Sequence, residues 1–146
     1  PSCELNRAPK AGLHFGFPYI HASSVIDPEF GAPVFPVEPP VVELGPHVAP
    51  LAMKFYTGTM FPERYRGEIF IAEHGSWNRT PEAGHTGYNI TMVNPETGAT
   101  TILIDGWLKN NVAWGRPTDI LEMPDGSLLI ADDHANVIYR LTYETP

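Results

Sequence analysis

Residues 66–79, RGEIFIAEHGSWNR, decide how this chain is read. Gly67 closes a polar turn, and Ile69-Phe70-Ile71-Ala72 then runs on as nearly continuous apolar sequence. A run this short, bounded by turn residues and made of β-branched and aromatic side chains, predicts a strand buried on both faces. After Glu73 comes a polar loop, His74-Gly75-Ser76-Trp77-Asn78-Arg79, and an alternating segment starts at Tyr88. Residues 125–143, DGSLLIADDHANVIYRLTY, repeat that plan: turn glycine, buried run ending in alanine and an acid, polar loop, alternating strand. The two glycines are 126 − 67 = 59 residues apart. Discounting the insert at 74–87 brings the spacing towards the ~40–50 residues of a four-stranded propeller blade. The alternative is an ordinary antiparallel sandwich.

Working outward, the same punctuation recurs. Strands are expected at 51–56, 68–73, 88–93 and 100–104, and again at 118–122, 127–131 and 137–143. Asn94-Pro95-Glu96-Thr97-Gly98, Pro124-Asp125-Gly126 and Asp132-Asp133-His134-Ala135-Asn136 supply the turns. Sixteen prolines and thirteen glycines in 146 residues argue against long helices, because proline breaks helix interiors and glycine favours turns. Seven of those prolines fall in 27–50, which therefore reads as an extended, packed, polyproline-like connection rather than a strand. The fold class expected is all-β: a partial propeller of two to three four-stranded antiparallel blades. In one domain spanning 1–146, residues 1–50 form a blade remnant and the proline-rich connection, 51–113 a blade, and 114–146 a last blade.

Nine basic against seventeen acidic residues give a net charge of −8, which disfavours nucleic acid and anionic membrane as partners. No apolar run approaches the ~20 residues of a membrane span, and no leader-like segment opens the sequence. The one cysteine, Cys3, excludes an internal disulfide and a cysteine-based zinc site. Histidines 14, 21, 47, 85 and 134 lack ligand spacing, so no metal site is expected from them. The adjacent acids Asp132 and Asp133 read as turn formers, and Trp107 and Trp114 as core filling.

Four ordered motifs carry a resemblance: ELNR…FGFPY (4–19), LGPHVAPLAMKFYTG…YRGEIFIAEHGSWNR (44–79), GY (87–88) and GRPTDILEMPDGSLLIADD…IYRLTY (115–143). Together they resemble the soluble glucose/sorbosone dehydrogenase family, which uses pyrroloquinoline quinone (PQQ). The resemblance implies a six-bladed propeller holding PQQ and calcium, oxidation of an aldose by hydride transfer, and a periplasmic or secreted address. It also implies that the catalytic histidine and the calcium ligands lie upstream of the stretch seen here, so no catalytic residue is assigned in this chain. Arg116 is expected to pair with a PQQ carboxylate, because a planar guanidinium can hold a carboxylate through two N–H groups; the plainer reading pairs it with Asp119. Arg79, His74 and Asn78 are the further cofactor-binding candidates, on a donor-rich loop where Gly75 lets backbone approach a ligand. The alternative function is a non-catalytic, self-associating half-propeller that binds a small sugar or acid, or a remnant without a selected role. Its partner would be a second copy or a complementary propeller fragment, since partial propellers leave strand edges unpaired.

Overall fold

The computed structural model describes residues 1–144, so the last two positions of the expected final blade lie outside it. The chain divides into two compact units, Pro1–His47 and Val48–Pro146. Among the described residues there is no α-helix; one 3-10 turn, Glu63–Tyr65, interrupts thirteen strands. All paired strands are antiparallel and no sheet closes on itself.

In the first unit, β1 (Ser2–Leu5) pairs with β4 (Val42–Pro46), and β2 (Ile20–His21) with β3 (Val25–Ile26) in a short hairpin. Two carboxylates tie these pieces together: Glu4 accepts the Ala22 N–H at 2.6 Å, and Glu43 accepts the Ser23 N–H at 3.0 Å. His14, Tyr19 and Phe35 form an aromatic cluster, with the His14 and Phe35 rings 4.5 Å apart. The expected strandless connection over 27–50 is corrected here, because Val42–Pro46 is a strand. Pro46 is tolerated because β4 is one edge of a two-stranded pair, where a missing N–H need not break a ladder.

The second unit carries the repeat. Strands β5 (Pro50–Phe55), β6 (Ile69–Glu73), β7 (Asn89–Val93) and β8 (Thr100–Ile104) form one four-stranded sheet in sequence order. A two-residue hairpin follows, β9 (Leu108–Lys109) and β10 (Val112–Ala113). Its turn residues Asn110 and Asn111 both have positive φ, 51° and 62°, as a tight hairpin loop demands. Then β11 (Pro117–Glu122), β12 (Leu128–Asp132) and β13 (Val137–Leu141) form a three-stranded sheet, again in sequence order. The two apolar runs occupy the middle positions β6 and β12, and all five residues of β6 are buried. Phe70, Ala72 and Ile90 of the first sheet share one core with Ile120, Leu128 and Ile130 of the second.

On the other face of the first sheet, Glu73, Asn89 and Thr91 form a buried polar triad. Glu73 accepts from the Thr91 hydroxyl at 2.8 Å and from the Asn89 amide at 3.2 Å, and has no cation partner among the described residues. Burial pushes its carboxyl above the usual glutamate range, against the pull of the Thr91 and Asn89 hydrogen bonds. The folded chain then holds the Glu73 proton more tightly than the unfolded one, so this group's contribution to stability grows as pH falls from neutral towards its ordinary value. Glu73→Gln removes that dependence. The stability of Glu73→Gln relative to the parent, measured by urea unfolding, should be greater at neutral pH than near pH 5.

Candidate functional site

One end of both sheets gathers the loops after β6 and before β7, β11 and the β12–β13 turn. The loop after β6 is anchored at its base: the His74 and Gly75 N–H groups donate to the carbonyls of Ala49 and Val48, both at 2.9 Å. Ser76 closes it, its N–H donating to the Thr86 carbonyl and its hydroxyl accepting from the Thr86 N–H. Tyr88 re-enters the sheet with φ of 65°, an uncommon conformation for a bulky residue, and is buried against Gly75.

Arg116 joins the two sheets. Its backbone N–H donates to Asp132 at 2.9 Å, and its guanidinium crosses to the first sheet's loop. There it donates to the carbonyl of Gly75 at 3.2 Å, the carbonyl of Ser76 at 3.4 Å and the hydroxyl of Tyr88 at 3.0 Å. Its carbon stands 4.9 Å from the centre of the Tyr88 ring, a cation–π contact. The Tyr88 hydroxyl in turn donates to the Ser76 carbonyl. No carboxylate pairs with the Arg116 guanidinium among the described residues; Asp119 instead accepts its neighbour Ile120's N–H.

His74 belongs to the same cluster. Its Nε2 lies 2.9 Å from Asp133 and its Nδ1 3.5 Å from the Arg116 guanidinium. A proton on Nε2 would donate to the Asp133 carboxylate and leave Nδ1 facing the Arg116 N–H groups as an acceptor. Beneath them Asp132 is buried and accepts the N–H groups of Arg116, His134 and Ala135 and the Tyr139 hydroxyl. Burial alone would raise its pKa, but these donors hold it below the ordinary aspartate value. A side chain at Gly115 would meet Asp132 at 2.2 Å and Trp107 at 2.4 Å, so glycine there lets backbone and buried acid meet. Against Gly115 lies the Trp107 indole, whose N–H is buried and has no acceptor among the described residues.

Of the residues singled out from sequence, Arg116 and His74 come together. Arg79 turns away from them and donates to the carbonyls of Gly84 and Ala83, holding its own loop closed. Asn78 is exposed on that loop, beside Trp77, which is 80% exposed. Tyr88 and Asp133 were not singled out, although both complete the cluster. Trp107 fills the core as expected, whereas Trp114 is half-exposed and donates to the Gly106 carbonyl. No group of three or more His, Cys, Asp or Glu side chains is placed to hold a metal among the described residues.

A family model described as TrAA12-like matches residues 32–143. The chain belongs to the TrAA12-like family. An uncharacterized protein of Borreliella burgdorferi is 40% identical over 153 residues, an alignment covering 99% of this chain and 40% of that protein. The chain therefore spans about two-fifths of the length of that curated relative. Two solved structures, the iodide and calcium structures of the Trichoderma reesei carbohydrate-active enzyme of family AA12, share the fold with a TM-score of 0.55 and 22% identity. They cover 71% of this chain and 27% and 26% of theirs.

This membership corrects the identification with glucose/sorbosone dehydrogenases. The motifs that carried it, such as GRPTD, PDG and LLIADD, mark strand entry, hairpin turn and buried strand. Those requirements belong to a β-meander generally, so they report the fold and do not separate one family built on it from another. In the TrAA12-like chain, Gly115, Gly126 and the β12 run each have such a geometric duty.

Proposed function

We infer that the Arg116 cluster is the anion-holding corner of a PQQ-related oxidoreductase domain, and that it takes a carboxylate of the quinone. One observation carries the reading: among the described residues the half-buried Arg116 guanidinium, reaching across both sheets, has no carboxylate partner and is held only by carbonyl and hydroxyl contacts. A half-buried cation balanced only by neutral acceptors is better served by an anion, and a carboxylate ligand supplies one. The AA12 family is PQQ-related, which names a candidate with that chemistry. PQQ supplies, when bound, a quinone that takes up electrons leaving the substrate, and it carries three carboxylates. Arg116 would hold one of them through its planar fork, exchanging weak carbonyl contacts of 3.2 Å and 3.4 Å for charge-assisted ones. His74, its tautomer set by Asp133, presents Nδ1 as an acceptor on the same side. Arg79 and Asn78 are proposed to line the mouth from the loop's outer part. The solved neighbours are a carbohydrate-active enzyme, which supports a sugar as the reductant. The two sheets of Val48–Pro146 would then be successive blades of a propeller, a reading their shared strand order supports.

The test is titration of the chain with PQQ, followed by quinone absorbance and by heat. Saturable binding is expected, weakening with salt, and Arg116→Ala should loosen it by about tenfold or more, as loss of one charge-assisted pair implies. Arg116→Lys should fall between the two. No saturable binding at millimolar PQQ, or equal binding by Arg116→Ala, would overturn the reading.

A further inference from the structure

The side chain of Asp133 is 61% exposed, yet its carboxylate is held in place. It stands on the β12–β13 turn, which the buried Asp132 fixes by accepting the N–H groups of His134 and Ala135 at 3.1 Å and 2.8 Å. From there it meets His74 Nε2 at 2.9 Å, across 59 residues of sequence. The His74 backbone is fixed as well, its N–H donating to the Ala49 carbonyl at 2.9 Å. One edge of the ring is therefore gripped by a well-formed contact. The other is held weakly. Nδ1 lies 3.5 Å from the Arg116 guanidinium, the longest contact that group makes among the described residues and at the outer limit of a hydrogen bond. Both neighbours select the same tautomer. A proton on Nδ1 would press N–H against N–H and turn the Nε2 lone pair towards a carboxylate. A proton on Nε2 gives each contact one donor and one acceptor.

We propose that Asp133 is a positioning residue: it fixes His74 so that the corner selects a carboxylate with an N–H donor on the adjoining ring atom, as at the pyrrole end of PQQ. The inference rests on the reading that Arg116 takes a carboxylate of the quinone. A ligand that enters between Arg116 and His74 must answer both groups it separates, N–H donors on the guanidinium and a lone pair on Nδ1. The pyrrole carboxylate does so, because it accepts from Arg116 while the ring N–H beside it donates to Nδ1. The carboxylate beside the pyridine nitrogen brings a second lone pair against Nδ1. The third carboxylate has only carbon neighbours in its ring. His74 is 21% exposed at its side chain, so most of its water is already gone and an unanswered Nδ1 weakens binding. Asp133 thus sets which end of the quinone faces this corner without touching the quinone itself.

Pyrrole-2-carboxylate and furan-2-carboxylate pose this choice with one ring atom changed, an N–H in the first and a lone-pair oxygen in the second. Each is titrated as a competitor of PQQ. The pyrrole acid should bind about tenfold more tightly, as one hydrogen bond kept against one lost implies. Asp133→Ala should cut that preference to about twofold or less, because the ring is then neither oriented nor held to one tautomer by a carboxylate. Both acids carry one charge, so their ratio does not respond to the field that Asp133 itself adds. Nitrogen-15 NMR of the parent chain at mildly alkaline pH should find the His74 proton on Nε2. Equal affinities for the two acids, failure of both to compete, an Asp133→Ala chain that keeps the full preference, or a parent proton on Nδ1 each overturns the inference, while PQQ binding through Arg116 stands. If PQQ does not bind, or binds Arg116→Ala equally, the anion reading falls and this inference with it. Should Asp133→Ala fail to fold, the affinity ratio and the NMR of the parent chain decide.

Discussion

Gly75→Ala is expected to dismantle the Arg116 cluster while leaving both sheets paired. Two independent constraints meet at this residue. Its φ is 94°, where an L side chain is strained, and a Cβ built there would stand 2.4 Å from the Tyr88 ring. The backbone term costs about 1–3 kcal/mol, and forcing an extra methyl into packed surroundings adds ~1–3 kcal/mol. Tyr88 cannot simply yield. It is 1% exposed, itself at positive φ, and its N–H donates to the Glu73 carbonyl at 2.9 Å. The loop must therefore move, and with it the Gly75 and Ser76 carbonyls and the Tyr88 hydroxyl that hold the guanidinium. The expected result is a fall in unfolding free energy of roughly 2–6 kcal/mol by urea titration, the sum of those two terms. Loss of PQQ binding comparable with Arg116→Ala should accompany it. If Gly75→Ala binds as the parent does, the guanidinium is not held by this loop.

How much of this was legible in the sequence depends on how local each cause is. The apolar runs of β6 and β12 declared themselves as strands, and β6 is covered on both faces as consecutive apolar positions predict, whereas β12 alternates, with Leu129 and Ala131 only partly covered. Their expected bounds, 68–73 and 127–131, lie within one residue of Ile69–Glu73 and Leu128–Asp132. Strand β4 was hidden because Pro39, Pro40 and Pro46 mask its alternation, and its partner β1 lies about forty residues upstream, beyond any local pattern. Arg116 and His74 were legible as polar residues next to glycines at strand ends. Tyr88 and Asp133 were not, because what makes them site residues is packing between sheets: Tyr88 meets Arg116 across 28 residues, and Asp133 meets His74 across 59. A tyrosine opening a strand and an aspartate in a turn have ordinary local explanations. The family was misjudged for the same reason, since turn and strand motifs encode geometry that several families share.

The same long-range logic identifies the residue on which the second unit most depends, Tyr56, and its loss should have the larger effect on stability. Tyr56 follows β5 at the opposite end of the sheets from Arg116 and is fully buried. Its ring stacks on Phe70, with centroids 5.7 Å apart and planes 12° from parallel, and tilts against Phe61 at 4.9 Å. Its hydroxyl donates to the Gly126 carbonyl at 2.9 Å and accepts the Phe61 N–H at 3.0 Å. One side chain thus ties the 3-10 region of the first sheet to the hairpin turn of the second. Gly126 can approach because it is glycine: a Cβ there would meet the Met60 nitrogen at 2.9 Å. Tyr56→Ala leaves a cavity in the shared core, worth about 3–5 kcal/mol for a large aromatic. It also strands a buried N–H and a buried carbonyl at ~1–3 kcal/mol each if water does not reach them. Against a total stability of about 5–15 kcal/mol for a domain, that is enough to leave the unit largely unfolded at 37 °C. Tyr56→Phe separates the two contributions, because it keeps the ring and removes only the hydroxyl. It should cost ~2–6 kcal/mol by urea unfolding, ~1–3 for each stranded group, and should leave PQQ titration unchanged, since the Arg116 cluster lies at the other end of the strands. A Tyr56→Phe chain as unstable as Tyr56→Ala would mean that the hydroxyl bridge, not the aromatic stack, holds the two sheets together.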